Sequence, residues 1–368
     1  MDDAPFAGAG PSGYHSFRLT GSAPRVDVAG ALLPEASSDA VALRPALAFL
    51  ALVIGLHFTV GSLLQVANPA FGIAFGELFF FAGLTWLFTV GQNFRPVPFL
   101  ALRLPPAGTL FAAIGAAFAG FFFAGALNAI NRWIVGPEIA DRYDVTGLFD
   151  ARSPAEAAFL VFGIALLAPI GEELVFRGYL QRVLGARLGA GRAVVITAAL
   201  FAAIHLNPAS LLALFGLGVI FALLRVWTGS IWPAVIAHAI QNGTSSALVL
   251  TGVAESSPDE LEIGSALLLL AITTPVLLLA LRHLRGMPAA SEADAGAAID
   301  PASDHGLRLS RLAKPALALC VAAAVSVAAL IAVDGEEVRA RLQRASGRAP
   351  EPVPPAQHET PELPRLSD

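Results

Sequence analysis

Residues 155–176 read AEAAFLVFGIALLAPIGEELVF, and Glu156, Glu172 and Glu173 are the only charges in the stretch. About 20 apolar residues in a helix cross the roughly 30 Å hydrocarbon core of a bilayer. The same pattern recurs at 45–66, 70–91, 107–130, 193–206, 209–226, 231–252, 264–282 and 314–333. The segment at 193–206 is short for a full crossing. Lipid offers a free backbone N–H no partner, and unbroken runs such as Phe79 to Phe81 and Leu267 to Leu270 lack the alternation of barrel strands. The fold class expected is all-α: a polytopic transmembrane helix bundle of about eight core helices over 44–283, plus one appended C-terminal helix at 314–333.

Composition agrees. The 368 residues are 56% hydrophobic and 14% charged, where a soluble domain carries roughly a quarter charged residues. A water-soluble globule is excluded on that ground. The net charge of -5 and the absence of a basic cluster argue against a nucleic-acid partner. One cysteine, Cys320, can form no internal disulfide. The start, Met1-Asp2-Asp3, is unlike a signal peptide and opens a tail over 1–43 whose composition predicts disorder. A linker over 284–313 and a C-terminal tail over 334–368, with six prolines from Pro350 onward, read the same way.

Cytoplasmic loops retain excess Lys and Arg. Arg95 and Arg103, then Arg177, Arg182, Arg187 and Arg192, then Arg282, Arg285, Arg308, Arg311 and Lys314 fall in alternate loops, while the opposite set holds Glu255, Asp259, Glu260 and Glu262. The expected orientation has a cytoplasmic N-terminus and, with nine spans, a C-terminal tail on the other side. Trp133, Tyr143 and Trp232 near span ends fit interfacial anchoring.

An ionisable side chain at bilayer depth costs at least about 2.5–3.5 kcal/mol, and such residues face a bundle interior or a watery cavity. Here they are His57, Glu77, Glu172, Glu173, Arg177, His205 and His238, with Asn242 as an uncharged companion. Five of the seven fall between 172 and 238. On a helix, residues four apart share a face, so Glu173 can hold Arg177 while Glu172 points about 100° away and stays available for proton chemistry. The alternative leaves both acids solvated at the interface. His205 ends a short span before Asn207-Pro208 and reads either as an interfacial residue or as part of a site. His238 and Asn242 share a face about 6 Å apart along the axis, where Asn242 could instead bond a neighbouring helix. Spacing pairs neither His57 nor Glu77 with this cluster. His205 and Glu172 can share a depth only if the fourth helix runs on past Arg177 toward Leu184.

Glu172-Glu173-x-x-x-Arg177, Phe201-x-x-x-His205 and His238-x-x-x-Asn242, in that order within about 70 residues, closely resemble the three motifs of the CPBP intramembrane proteases, which include the type II CAAX prenyl endopeptidases and bacterial Abi-domain proteins. The resemblance covers roughly 155–250. It implies an integral-membrane endopeptidase in which Glu172 activates the hydrolytic water, His205 helps to hold it, His238 and Asn242 stabilise the oxyanion, and Glu173 with Arg177 support the first motif. A carboxylate drawn out of water is a stronger base, and aimed donors in a low-dielectric site stabilise developing charge. No cofactor is favoured. A catalytic zinc is the open alternative, for which Glu172, His205 and His238 could supply three ligands, although no His-Glu-x-x-His helix is present. The implied partners are membrane lipid and a protein or peptide substrate that could carry a lipid, with the bacterial cytoplasmic membrane as the expected location. A proton- or ion-coupled transporter would use intramembrane Glu and His equally well, and a non-catalytic scaffold is the third reading.

Overall fold

The computed structural model describes residues 43–149, 153–253, 263–290 and 309–345, the side chains of 309–313 and 345 excepted. The N-terminal tail (but for Leu43), most of the linker and the proline-rich end lie outside the described residues. Within them the chain is helical, with no strand. The long helices are α1 (Leu43–Ala67), α2 (Pro69–Gly91), α3 (Ala107–Val135), α4 (Pro154–Leu188), α5 (Ala190–Ile204), α6 (Leu211–Thr228), α7 (Trp232–Leu250), α8 (Ile263–Arg285) and α9 (Leu309–Ala345). Seven of them, all but α5 and α7, are long and apolar enough to cross a membrane. α5 has 15 residues. α7 is long enough, but His238, Gln241, Asn242, Thr244, Ser245 and Ser246 lower its apolar character.

Local chemistry sets the boundaries. Asn68 is extended, and its side-chain oxygen accepts from the N–H of Phe71 at 2.9 Å, with Pro69 at the first position of α2. Ser153 does the same for Glu156 ahead of α4, with Pro154 behind it. Both are side-chain caps on otherwise orphaned N–H groups. Gly189, at φ +83°, ends α4 and turns the chain into α5, and Gly229, at φ +66°, ends α6; a side chain is disfavoured at such angles.

Loops meet at the two ends of the bundle in alternation. At one end Arg182 donates to the carbonyls of Pro98 and Phe99, Trp232 Nε1 to Leu102 O at 2.7 Å, Thr109 to Pro288 O and the Ala290 N–H to Thr228 O. At the other, Asn131 bonds Pro208 and Leu212, and Asn207 reaches Tyr143 O. The first end gathers the loops after α2, α4, α6 and α8, the set that carries the arginines. Outward-facing side chains such as Phe111, 72% exposed, and Leu279, 67% exposed, form an apolar surface suited to lipid.

Two boundaries differ from the sequence expectation. Pro288 and Ala290 are hydrogen-bonded to Thr109 of α3 and Thr228 of α6, so the linker begins later than 284. The last helix also runs on beyond 333. It breaks at Asp334, whose carboxylate accepts from Asn68 Nδ2 at 3.3 Å, and resumes because Glu337 pairs with Arg341 and Arg344.

Candidate active site

The fourth helix is not a regular α-helix where the paired acids sit. Its hydrogen bonding widens to the π pattern over Gly163–Leu167 and again over Leu174–Leu180, on either side of Glu172 and Glu173. Such widened turns gather at functional sites. α2 carries one over Gly76–Gly83 and α1 one over His57–Gly61.

Glu173 and Arg177 are both 0% exposed, and the guanidinium donates to Glu173 Oε1 at 2.9 Å, the i to i+4 pairing expected. A buried pair needs its remaining groups satisfied, and here that is met in part, because Glu173 Oε2 and Arg177 Nε have no partner among the described residues. Arg177 Nη2 donates to Gly218 O at 3.0 Å on α6, and one turn further Gln181 repeats the contact to Ala222 O. Glu173 Oε1 also takes His238 Nδ1, at 3.0 Å, from α7. One carboxylate thus ties α4 to α7 while its arginine ties α4 to α6. Because the carboxylate accepts, the Nδ1 proton is fixed on His238, and Nε2 is the ring nitrogen left for other partners.

Phe201 on α5 is the hub. The Arg177 guanidinium lies 4.6 Å from its centroid, the His205 ring 4.9 Å and the His238 ring 5.6 Å away, with Phe221 of α6 stacked on His238 at 4.8 Å. Cation and rings so placed attract one another. Sequence reading quoted Phe201 in a motif but assigned it no contact, and gave α6 no part at all.

His205 follows the last turn of α5 and is exposed; its Nδ1 donates to Phe201 O at 2.7 Å. A carbonyl can only accept, so a neutral His205 presents a bare Nε2 lone pair. Glu172 and His205 stand 17 and 16 residues from Gly189, each roughly 25 Å of helix from the turn. They therefore lie at one level of the hairpin, and the extended fourth helix ends at Leu188, four residues beyond Leu184. Glu172 is 9% exposed, and its Oε2 has no hydrogen-bond partner among the described residues. His238 and Arg177 lie within its electrostatic reach. Asn242 donates from Nδ2 to Ile164 O at 3.0 Å, so the tie to a neighbouring helix, weighed above as the alternative, is present.

Two residues that spacing left aside are brought in. Glu77 is 5% exposed, and its Oε2 would stand 2.6 Å from a Cβ placed on Gly171, beside Glu172. His57 meets Phe81 edge-on at 5.3 Å, and its Nδ1 is buried without a partner among the described residues. The available signal was Gly171 itself, whose missing side chain permits a close helix approach.

The donor set does not fit a metal. Among the described residues no group of three or more His, Cys, Asp or Glu is placed to hold one. The trio of Glu172, His205 and His238, given above as the open alternative for zinc, forms no such group.

A helical bundle with buried Glu, Arg and His joined across α4, α5, α6 and α7 defines a membrane protein with an interior polar site. Residues 154–244 match the family described as type II CAAX prenyl endopeptidase Rce1-like. The chain is also 32% identical over 89 residues to the membrane-embedded CAAX protease MroQ of Staphylococcus aureus (strain USA300), which is 23% of this chain. The aligned part spans 36% of that relative's length. No solved structure matches. Residues 154–244 are thus similar to a family of membrane endopeptidases, and the apolar helices mark the chain as an integral membrane protein.

Proposed function

We propose that the protein hydrolyses peptide bonds within or beside the membrane, with Glu172 as general base. The observation that carries this reading is a buried carboxylate with an unpartnered oxygen, level with His205, next to a Glu173 already neutralised by Arg177. Glu172 takes a proton from water as the water oxygen bonds to the scissile carbonyl carbon. His205, through Nε2, accepts the same water's second hydrogen and orients it. His238 and the second N–H of the Asn242 amide stabilise the oxyanion. The C–N bond breaks as Glu172 returns the proton to the leaving amine. No step runs through a metal.

The substrate class is a protein or peptide whose scissile end lies at the membrane, with a lipid-modified C-terminus as the first candidate, since the matched family is described as a prenyl endopeptidase. We place the protein in a bacterial cytoplasmic membrane with its N-terminus cytoplasmic, on the alternate loops that carry arginine. The family match favours a peptidase over a transporter. The test compares membrane proteomes and secreted peptides of cells carrying wild type or Glu172→Ala. Peptide ends present only with the wild type support the reading, and identical profiles overturn it.

A further inference from the structure

The three motifs leave one buried acid unexplained. Glu77 comes from α2, outside the segment that matches the family. Its carboxyl is almost fully enclosed, and its Oε2 has no hydrogen-bond partner among the described residues. It sits against Gly171: a Cβ there would stand 2.6 Å from Glu77 Oε2 and 2.9 Å from the Glu77 carbonyl oxygen. The next residue along α4 is Glu172, whose Oε2 is equally buried and equally without a partner. A glycine contact thus brings the two helices close beside both acids, each with an oxygen that has no donor among the described residues.

Two adjacent carboxylates cannot both stay ionised in a dry interior without a cation between them; a single proton held by one and shared with the other removes the repulsion. The surroundings decide which acid keeps it. His238 and Arg177, opposed by Glu173, act on Glu172, whereas the charged neighbour acting on Glu77 is Glu172 itself. Phe81, one turn along α2, faces the same Gly171 position, and His57 meets its ring edge-on.

We propose that Glu77 is a positioning residue for Glu172: as a carboxylic acid it donates a hydrogen bond to the Glu172 carboxylate and so fixes which oxygen is left to take the proton of the attacking water. This rests on the reading of Glu172 as the base. The hydrogen bond between the acids does not, which lets the two be tested apart. The proton on Glu77 is not consumed. It stays on Glu77 while Glu172 takes one from water and returns it to the leaving amine. Glu77 lies in the widened turn over Gly76–Gly83.

The direct test is infrared spectroscopy of the full-length protein in phosphatidylcholine/phosphatidylglycerol vesicles. The C=O stretch of a protonated carboxyl is compared between wild type, Glu77→Gln and Glu172→Gln. The expected result is one protonated-carboxyl band that disappears in Glu77→Gln and shifts in frequency in Glu172→Gln, because its acceptor changes from a carboxylate to an amide. A band unaffected by Glu77→Gln, or lost from Glu77→Gln but unmoved by Glu172→Gln, overturns the pairing. Turnover supplies the second arm, with an S-farnesylated CaaX peptide in the same vesicles as probe. Glu77→Met, which keeps the shape and removes the donor, is expected to lower kcat about tenfold or more at unchanged KM, the scale of one hydrogen bond to a charged group. Glu77→Gln, which restores an N–H donor, is expected to recover most of that loss. If Glu77→Met does not fold, Glu77→Asn withdraws the amide by one methylene and is expected to show the same fall in kcat. Full turnover in Glu77→Met, or Glu77→Gln as inactive as Glu77→Met, overturns the role. If the bands behave as expected but wild type cleaves neither this peptide nor anything in cells, the peptidase reading fails and the carboxyl pair stands.

Discussion

Arg177→Met removes the one cation of the enclosed cluster while keeping a long apolar side chain between Phe201 and Phe221. The loss has separable parts. Glu173 and Arg177 lie on one helix, so their ion pair can persist in an isolated α4 and contributes little to holding the bundle together. The bond from Arg177 to Gly218 O joins α4 to α6, and one hydrogen bond to a charged group is worth about 1.5–3 kcal/mol. The larger part is the stranded partner, since Glu173 is 0% exposed and would face His238 alone. Removing one member of a buried pair costs about 3–5 kcal/mol. That figure already includes the lost bond to Gly218 O, so the expected total is about 3–5 kcal/mol, measured by reversible unfolding in mixed detergent and SDS micelles. Adding Glu173→Gln should return part of it, because the second change removes the uncompensated charge, and the double-mutant cycle isolates that term. Arg177→Met within about 1 kcal/mol of wild type would show that the cluster does not hold α4 to α6 and α7.

Gly171→Ala drives a methyl into Glu77 and its backbone carbonyl, and should destabilise the protein by about 1–3 kcal/mol in the same unfolding assay. Phe201→Ala strips the ring shared by Arg177, His205 and His238; about 3 kcal/mol of stability should go with it, read by thermal unfolding in detergent. Asn242→Ala separates two roles in a turnover assay: a fall in kcat of about 10²-fold or more places the amide at the oxyanion, and a fall below about threefold leaves only its tie to Ile164 O. Incubation with 1,10-phenanthroline followed by gel filtration should leave hydrolysis unchanged, and recovery only on adding zinc would contradict a metal-free base.

What could be read without coordinates was whatever a single helix decides. Apolar runs gave the helices, and four-residue spacing gave the Glu173–Arg177 pair. The need to bring Glu172 level with His205 gave the extension of α4, although its stop at Gly189 depends on a positive φ that sequence suggests only loosely. What stayed hidden depends on register between helices. Glu173 holding His238, Phe201 as a hub, Phe221 and the Gly218 carbonyl on α6, and Glu77 beside Glu172 all need two or more helices set at one height. That height is fixed by close approaches at Gly171 and Gly218, where a Cβ would meet Glu77 or Ala198. Periodicity cannot supply it, because a lipid-facing and a helix-facing residue are equally apolar. The ninth helix was cut short at 333 because its last turns are charged, and their pairing within one helix became visible only as structure.

The most direct measurement is single-turnover cleavage, by purified full-length protein in vesicles, of the peptide that the cell comparison identifies, with wild type beside Glu172→Gln. Gln keeps the shape and removes the base. A glutamate-activated water predicts a fall in the cleavage rate of about 10²-fold or more with the unfolding midpoint unchanged. Cleavage by Glu172→Gln at the wild-type rate would contradict it.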